Sequence, residues 1–293
     1  MIKDIDLYLD RNKKEKIIKS TFESLKKNFK YIQYNYGTLL NTNNTIAILW
    51  GLESKFKKDT RFRTIIQKNY NNVLIIEQGF LNRKDYRSLT WNEQGGKANI
   101  IPKNCDSKRF DKLNIKLKPI ILNKNGYILV CGQLPWDRQC QFMNYSYNGW
   151  LNKIFLKIKK KTNKKIIFRY HPLYMKSKKK NKYDKITIPK FVELDKTLLL
   201  EDSICNAYVV ISYNSTCLIE SLIYGCPFIC FDNLSLVYNL GKHSINDINN
   251  LYIPKEEERL HKLYDISYNQ WSLKELESGE ALTYMKNLLE INS

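Results

Sequence analysis

The chain has 293 residues and a formal net charge of +20, because 49 lysines and arginines outnumber 29 aspartates and glutamates. It contains no stretch of about eighteen apolar residues, which excludes a transmembrane helix, and a charged N-terminus without an apolar core predicts a cytoplasmic protein. The seven cysteines form no Cys-x-x-Cys pair, so neither a disulfide framework nor a zinc site is expected. This length suits two domains of about 100–200 residues each.

Hydrophobic periodicity predicts strands and helices that alternate along the chain. The expected strands are 5–9, 45–50, 72–76, 126–131, 165–170, 191–192, 208–212 and one that starts after Pro227. The expected helices are 13–29, 62–70, 150–160, 197–206, 215–224 and 271–290. The polar segment 81–125 is interpreted as loop and contains the best domain boundary. Short strands rich in Val and Ile, alternating with helices, are typical of parallel sheets with helices on both faces.

Two of these strands end in polar residues. The segment IIFRYHP places Arg169 and His171 at the tip of one strand, and Pro172 forces an extended exit from it. A lone histidine is usually structural, but one at a strand tip can donate to a phosphate oxygen or stabilise a leaving diphosphate. Arg169 and His171 are therefore predicted to contact an anionic ligand.

The second polar tip lies in the segment AYVVISYNSTCLIESLIYGCPFI. Ser212, Ser215 and Thr216 lie between a buried strand and the first turn of a helix, where N–H groups and the helix dipole attract anions. A helix cap at Asn214 or Ser215 explains one polar residue but not the cluster. Glu220 lies one turn after Thr216, off the capping-box position, where a pair of ribose hydroxyls would suit it. Two such tips predict a nucleotide site.

Three acids in the first half of the chain are candidate general bases. Glu53 and Glu77 each follow a buried strand, and Asp85 lies in the loop after the second of these strands. A displacement at a sugar carbon needs a carboxylate that takes the acceptor proton. The residues alone do not rank the three, and each is equally compatible with an ordinary loop acid. No metal-ligand spacing, GxGxxG motif or P-loop occurs, so neither a metal nor a cofactor is expected.

The positive charge is concentrated in the segments 153–165 and 176–185. Such an excess indicates a polyanionic partner, which could be nucleic acid, an acidic glycan or an anionic membrane surface. Two plainer interpretations compete with this one: the lysine-rich composition that AT-rich genomes produce, and a solvated helix face.

Three segments follow one another along the chain: ILVCGQLPWDRQ, IIFRYHP, and VVISYNSTCLIESLIYGCPFICFD followed by YNLG. Together they resemble the capsule-polysaccharide-synthesis glycosyltransferases of the 3-deoxy-manno-octulosonic acid (Kdo) transferase type. The resemblance covers roughly Gly126–Gly241. The segment VLIIEQGFLNRKDYRSLTWNEQGGKAN looks like the first-domain signature of shorter phage-encoded relatives, to some of which glycosylation of modified DNA bases is attributed. A His-Pro strand with a Ser/Thr-Glu-Gly-Pro block also occurs in UDP-sugar epimerases.

The resemblance implies a metal-independent α/β protein of the GT-B type, with two Rossmann-like parallel-sheet domains facing a cleft. We expect an acceptor domain at 1–122, a nucleotide-sugar domain at 123–270, and a helix at 271–293 that crosses back to the first domain. The catalytic candidates are Glu77, which the resemblance favours as the base, Glu53, Asp85 and His171. The resemblance implies Gln133, Asp137, His171, Ser215, Thr216 and Glu220 as nucleotide-sugar contacts, and the strand tips add Arg169 and Ser212. UDP-sugars are favoured over CMP-sugars.

The predicted reaction transfers a sugar to the hydroxymethyl group of a modified pyrimidine in double-stranded DNA, in the host cytoplasm if the gene is phage-borne. Lysines and arginines would neutralise phosphates, and a flipped base would stack on an aromatic ring. The expected acceptor contacts are Arg83, Tyr86, Trp91, Lys178, Lys179 and Lys180. No obligate protein partner is indicated. The alternatives are a capsule or lipopolysaccharide glycan as acceptor, a UDP-sugar epimerase, and a non-catalytic DNA-binding protein.

Overall fold

The structure is a computed structural model. It describes residues 2–9, 16–34, 39–51, 60–140, 143, 146–176 and 185–292. The predicted site residues Glu53, Lys178, Lys179 and Lys180 lie outside these ranges. By its contacts the chain divides into two compact units, Met1–Asn114 with His261–Ser293, and Ile115–Leu260.

The elements alternate along most of the chain. The strands are β1 (Ile2–Leu9), β2 (Phe29–Tyr34), β3 (Ile46–Trp50), β4 (Asn72–Gln78), β5 (Tyr86–Trp91), β6 (Tyr127–Cys131), β7 (Ile166–Arg169), β8 (Val192–Leu194), β9 (Ala207–Ser212), β10 (Phe228–Cys230) and β11 (Gln270–Ser272). The helices are α1 (Lys16–Lys26), α2 (Thr60–Asn69), α3 (Lys108–Asp111), α4 (Tyr147–Lys161), α5 (Pro172–Lys176), α6 (Leu200–Cys205), α7 (Cys217–Tyr224), α8 (Glu256–Ser267), α9 (Leu273–Ser278) and α10 (Glu280–Ile291).

The first unit contains a six-stranded sheet in the order β11-β5-β4-β3-β1-β2. Strands β1 to β4 pair in parallel, whereas β5 pairs antiparallel with both β4 and β11. Every residue of β3 is buried, because the sheet is covered on both faces. Ile48 belongs to a core shared with α1 and α10, and its neighbour Leu49 belongs to a core shared with α2. The alternation of side chains between faces explains this division.

The second unit contains a five-stranded, fully parallel sheet in the order β10-β9-β6-β7-β8. The chain runs outward from β6 through β7 to β8, and then returns to the other side of β6 to form β9. The strand order therefore reverses between β6 and β9. Loops that leave the carboxyl ends of two such strands diverge, and ligands of open α/β sheets bind at this point. We call the carboxyl ends of β6, β9 and β10 the switch edge.

The structure differs from the predicted elements in several places, and the sequence analysis predicted neither α5 nor α8. The segment 81–125 is not all loop, because it contains β5 and α3. The helix expected at 13–29 ends at Lys26, and Phe29 begins β2. Trp271 lies in β11, and a capping box between Ser272 and Glu275 starts α9 after it. The first sheet is mixed rather than parallel. Across the described ranges, no helix combines the length and apolarity needed to span a membrane.

Candidate functional site

Four amide and carboxylate side chains join the strands of the switch edge. Gln133 is buried, and its Oε1 accepts a 2.9 Å hydrogen bond from the backbone N–H of Asn214. The Asn214 Nδ2 donates to Gln139 Oε1 at 3.1 Å and to Asp232 Oδ2. Asp232 is also buried, and its Oδ1 accepts from the Leu234 N–H at 3.1 Å. These four side chains therefore hold the ends of β6, β9 and β10 together. We call them the switch-edge cluster: Gln133, Gln139, Asn214 and Asp232.

A buried tyrosine fixes the start of the loop after β6. The backbone N–H of Gln133 donates to the Tyr147 hydroxyl at 2.7 Å. Burial raises the pKa of Tyr147 well above its ordinary value, because the core disfavours the charged phenolate. Tyr147 begins α4, whose buried face packs on the sheet. The loop is thus anchored to the core rather than to the surface.

Helix α7 begins directly beyond the end of β9. Its N-cap is Thr216, not Asn214 or Ser215 as the sequence predicted. The Ser215 Oγ accepts from the Cys217 N–H at 3.4 Å, and the Thr216 hydroxyl makes no capping bond. Ser215, Thr216 and Glu220 are all half-buried in the first turn. The helix ends at Gly225, whose φ of +74° is a conformation that favours glycine.

His171 lies between β7 and α5 and caps that helix. Its Nδ1 accepts a 3.1 Å hydrogen bond from the Leu173 N–H, and its carbonyl accepts from the Tyr174 N–H at 2.9 Å. Pro172 occupies the first helical position, where a missing N–H does no harm. Because Nδ1 accepts, the proton of the neutral imidazole is on Nε2. The half-buried ring lies directly after the end of β7, where the sequence placed it.

The structure places Arg169 in an internal network instead of a ligand site. Its Nη1 contacts Asp195 Oδ2 at 2.6 Å, the Thr197 carbonyl at 3.0 Å and Ser203 Oγ at 3.1 Å. Its Nη2 donates to the Leu198 carbonyl at 3.1 Å. Burial by itself would raise the pKa of Asp195, but hydrogen bonds from Ser203, Thr197 and Arg169 hold it below its ordinary value. Arg169 therefore fastens the segment after β8 to the end of β7.

Two other predicted ligand contacts also make hydrogen bonds within the unit. The hydroxyl of Ser212 is fully buried and donates to the Cys131 carbonyl at 3.0 Å, which ties β9 to β6. The Asp137 carboxylate accepts from the Gln139 N–H at 3.0 Å and starts a short 3₁₀ turn at Arg138–Cys140. Both side chains shape the switch edge from within.

In the first unit, Glu77 lies near the carboxyl end of β4. The carboxylate is half-buried and accepts a 2.9 Å hydrogen bond from Gln94 Nε2. It lies against Gly51, since a Cβ added to Gly51 would be 2.2 Å from Glu77 Oε1. Gly51 also has a φ of +58°, so this position accepts only glycine without strain. A carboxylate fixed by an amide and by close packing is suited to act as a base.

The hairpin formed by β4 and β5 contains the candidate base Asp85 and two predicted acceptor contacts, Arg83 and Tyr86. Arg83 is half-buried, and its Nε donates to the Gly79 carbonyl at 3.0 Å. Asp85 is exposed in the turn, and Tyr86 is half-buried at the start of β5. Burial raises the pKa of Tyr86.

Trp91 corrects the prediction of a base-stacking residue. Its ring is fully buried, and its Nε1 donates to the Met285 carbonyl at 3.1 Å. An aromatic ring enclosed in the core cannot stack on a base, so Trp91 instead joins β5 to the C-terminal helix α10.

Sequence reasoning missed Gln94, Gln139 and Asp232, and treated Asn214 only as a possible cap. A signal did exist for Asn214 and Asp232, because each follows the end of a strand by two residues. Gln139 and Gln94 lie in loops and carry no comparable signal. In the described part of the chain, no three His, Cys, Asp or Glu side chains gather as a metal site would require.

Solved structures share this architecture. The β-Kdo 2,7 transferase of Thermosulfurimonas dismutans KpsC superimposes on this chain with a TM-score of 0.57 at 16% identity, over 96% of this chain and 99% of that one. The β-Kdo 2,4 transferase of KpsC gives a TM-score of 0.57 at 12% identity, over 92% of each chain. The chain has the GT-B fold. At these identities the likeness establishes the fold alone, with two Rossmann-like units, as expected.

A more distant likeness is to the UDP-GlcNAc 2-epimerase of Methanocaldococcus jannaschii, in complex with UDP-GlcNAc and UDP. The TM-score is 0.36 at 14% identity, over 97% of this chain and 100% of that one. No protein-family model matches the sequence, and no curated protein matches it either.

Proposed function

We propose that this protein transfers a sugar from a nucleotide-sugar to an acceptor hydroxyl. The observation that carries the proposal is the hydrogen-bonded polar cluster at the switch edge of the second unit, in a chain with the fold of the KpsC Kdo transferases. Gln133 and Asn214 lie where ligands of open α/β sheets bind.

Three groups around the switch edge suit the phosphates and the ribose. The N–H groups and dipole of α7 at Ser215 and Thr216 favour negative charge. The Nε2–H of His171 is a donor for a phosphate oxygen, and it stabilises the charge that develops on the leaving nucleotide. Glu220, in the first turn of α7, accepts from ribose hydroxyls. Arg169, Ser212 and Asp137 are left out of this set because their polar groups serve internal bonds.

Glu77 is the proposed base. Its carboxylate takes the proton of the acceptor hydroxyl while the hydroxyl oxygen forms the new bond to the anomeric carbon. The bond between that carbon and the phosphate oxygen breaks, and its electron pair leaves with the nucleotide. General-base catalysis of this kind contributes about 10²–10⁴-fold to the rate. The exposed Asp85 has no such fixed environment.

A saccharide hydroxyl is the acceptor that the fold favours, because both KpsC structures are named as Kdo transferases. DNA carrying hydroxymethyl pyrimidines is the second candidate. It is favoured by the net charge of +20 and by exposed lysines on one side of α4, namely Lys153, Lys157 and Lys160. Such lysines would bind phosphates in a salt-dependent way.

The proposal is tested by incubating the purified protein with UDP-, GDP- and CMP-sugars and either a Kdo-terminated oligosaccharide or hydroxymethylated DNA. Mass spectrometry of each acceptor then reports a mass gain of one sugar. We expect a gain on the oligosaccharide; a gain on the DNA alone would establish the second candidate. Conversion of a nucleotide-sugar without acceptor would indicate an epimerase, and DNA binding without any conversion would indicate a non-catalytic protein.

The variants E77Q and D85N separate the candidate bases. We expect E77Q to lose about 10²–10⁴-fold in transfer rate while still binding the nucleotide-sugar, and D85N to keep the rate of the unaltered protein. The reverse result would move the base to the hairpin.

A further inference from the structure

The Asn214 side chain in the switch-edge cluster has a fixed polarity. Both hydrogens of its Nδ2 are directed at acceptors, Gln139 Oε1 and Asp232 Oδ2. An ionised carboxylate accepts hydrogen bonds but donates none. The amide therefore cannot turn over without placing its own Oδ1 against the oxygen of Asp232. Within the described ranges, no hydrogen bond uses the Asn214 Oδ1, so this oxygen can accept from a ligand.

Gln133 has the opposite polarity. Its Oε1 accepts from the backbone N–H of Asn214 at 2.9 Å, so the hydrogens of its Nε2 lie on the other arm of the amide. Gln133 is only 6% exposed, and nothing in the described chain accepts from Nε2. The cluster thus presents one fixed acceptor, Asn214 Oδ1, and one fixed donor, Gln133 Nε2–H.

We propose that Asp232 is a positioning residue of the nucleotide-sugar site, which sets the Asn214 amide to receive a sugar hydroxyl. The inference rests on the proposed function and adds a specificity to it. The matching ligand has a hydroxyl that donates to Asn214 Oδ1 and a nearby phosphate or hydroxyl oxygen that accepts from Gln133 Nε2. Glycosyl phosphates carry both groups side by side.

The variant D232N reverses this polarity while it conserves shape. The oxygen of the introduced amide would accept from the Leu234 N–H, and its nitrogen would face Asn214. The Asn214 amide then turns over, Gln139 turns with it to donate, and the ligand meets Nδ2 where Oδ1 had been. The substitution conserves the shape of the side chain, so we expect the melting temperature to stay within about 2 °C. Nucleotide-sugar binding should weaken about tenfold.

The double variant N214D/D232N restores the original polarity by exchanging the amide and the carboxylate between the two positions. One oxygen of the introduced carboxylate accepts from the introduced amide, and its second oxygen again faces the ligand as an acceptor. We expect most of the lost affinity to return. The matched control is D202N, which removes one negative charge from an exposed position on α6 of the same unit. It should change neither the melting temperature nor the affinity.

The experiment measures dissociation constants by calorimetry with UDP-, GDP- and CMP-sugars. It also measures the exchange of the Asn214 side-chain amide hydrogens by NMR in the unliganded protein. The proposal expects slow exchange in the unaltered protein, faster exchange in D232N, and recovery of affinity in the double variant. Rapid exchange in the unaltered protein, affinity loss that only follows a falling melting temperature, or no recovery in the double variant would overturn it. If exchange is slow but no nucleotide-sugar binds, the proposed function fails, and the assigned ligand fails with it.

Discussion

Replacing Arg169 with methionine distinguishes the structural role of this residue from the ligand contact that the sequence predicted. Methionine keeps the length of the aliphatic stem but removes the guanidinium from Asp195. The Asp195 side chain is 3% exposed and that of Arg169 is 18% exposed, so R169M leaves a buried carboxylate without its cation.

Breaking a buried ion pair by removing one partner costs about 3–5 kcal/mol. Asp195 keeps hydrogen bonds from Ser203 Oγ at 2.6 Å, Thr197 Oγ1 at 2.6 Å and the Thr197 N–H at 2.9 Å. We therefore expect the lower end, about 3 kcal/mol. At about 2–4 °C per kcal/mol for a unit of this size, the melting temperature falls by roughly 6–12 °C.

The assay pairs thermal unfolding with nucleotide-sugar binding, measured well below the transition. Binding by R169M should stay within about twofold of the unaltered protein, a difference below about 0.5 kcal/mol. The double variant R169M/D195N should regain part of the lost stability, because asparagine removes the uncompensated charge. A roughly tenfold loss of affinity at an unchanged melting temperature would refute this reasoning and return Arg169 to the ligand.

Three further predictions concern stability and the base. G51A should lower both the melting temperature and the transfer rate, because its Cβ would be 2.2 Å from Glu77 Oε1; an unchanged rate would remove Glu77 from the reaction. W91F should lower stability by about 1–3 kcal/mol, since it leaves the Met285 carbonyl without its buried donor, while the acceptor KM stays unchanged. The pKa of Asp195 is lowered in the folded protein, so its ionised carboxylate adds stability at pH values above the ordinary aspartate pKa of about 3.9. This stability is lost as the pH falls through the pKa of the folded state. D195N should therefore flatten the acid-unfolding curve in that pH range.

The parallel strands could be predicted because burial on both faces makes them continuous apolar runs. β3, β6 and β9 are of this kind, and the predicted bounds differ from the observed ones by one residue or less at each end. β5 has the sequence YRSLTW and was missed, since polar residues normally mark exposed segments. Its buried Arg87 donates to the Lys84 and Tyr86 carbonyls within the hairpin and, at 2.6 Å, to Thr21 Oγ1. That bond joins β5 to α1 and is invisible in a local pattern.

The site was harder to predict than the fold, because a strand tip does not reveal which way its side chains turn. Ser212 and Arg169 have the composition of a phosphate site, yet both use their polar groups inside the unit. The contact between Asp232 and Asn214 became recognisable only when the strand order placed β10 beside β9. A contact between residues distant in sequence depends on that order, which periodicity does not supply.

Calorimetric titration of UDP-, GDP- and CMP-sugars into the unaltered protein and into Q133A shows whether the switch edge binds a nucleotide-sugar. We expect one of these compounds to bind with a Kd below about 1 mM and Q133A to weaken this binding about tenfold. Binding that is equally strong in Q133A, or no binding by any compound, would contradict this expectation.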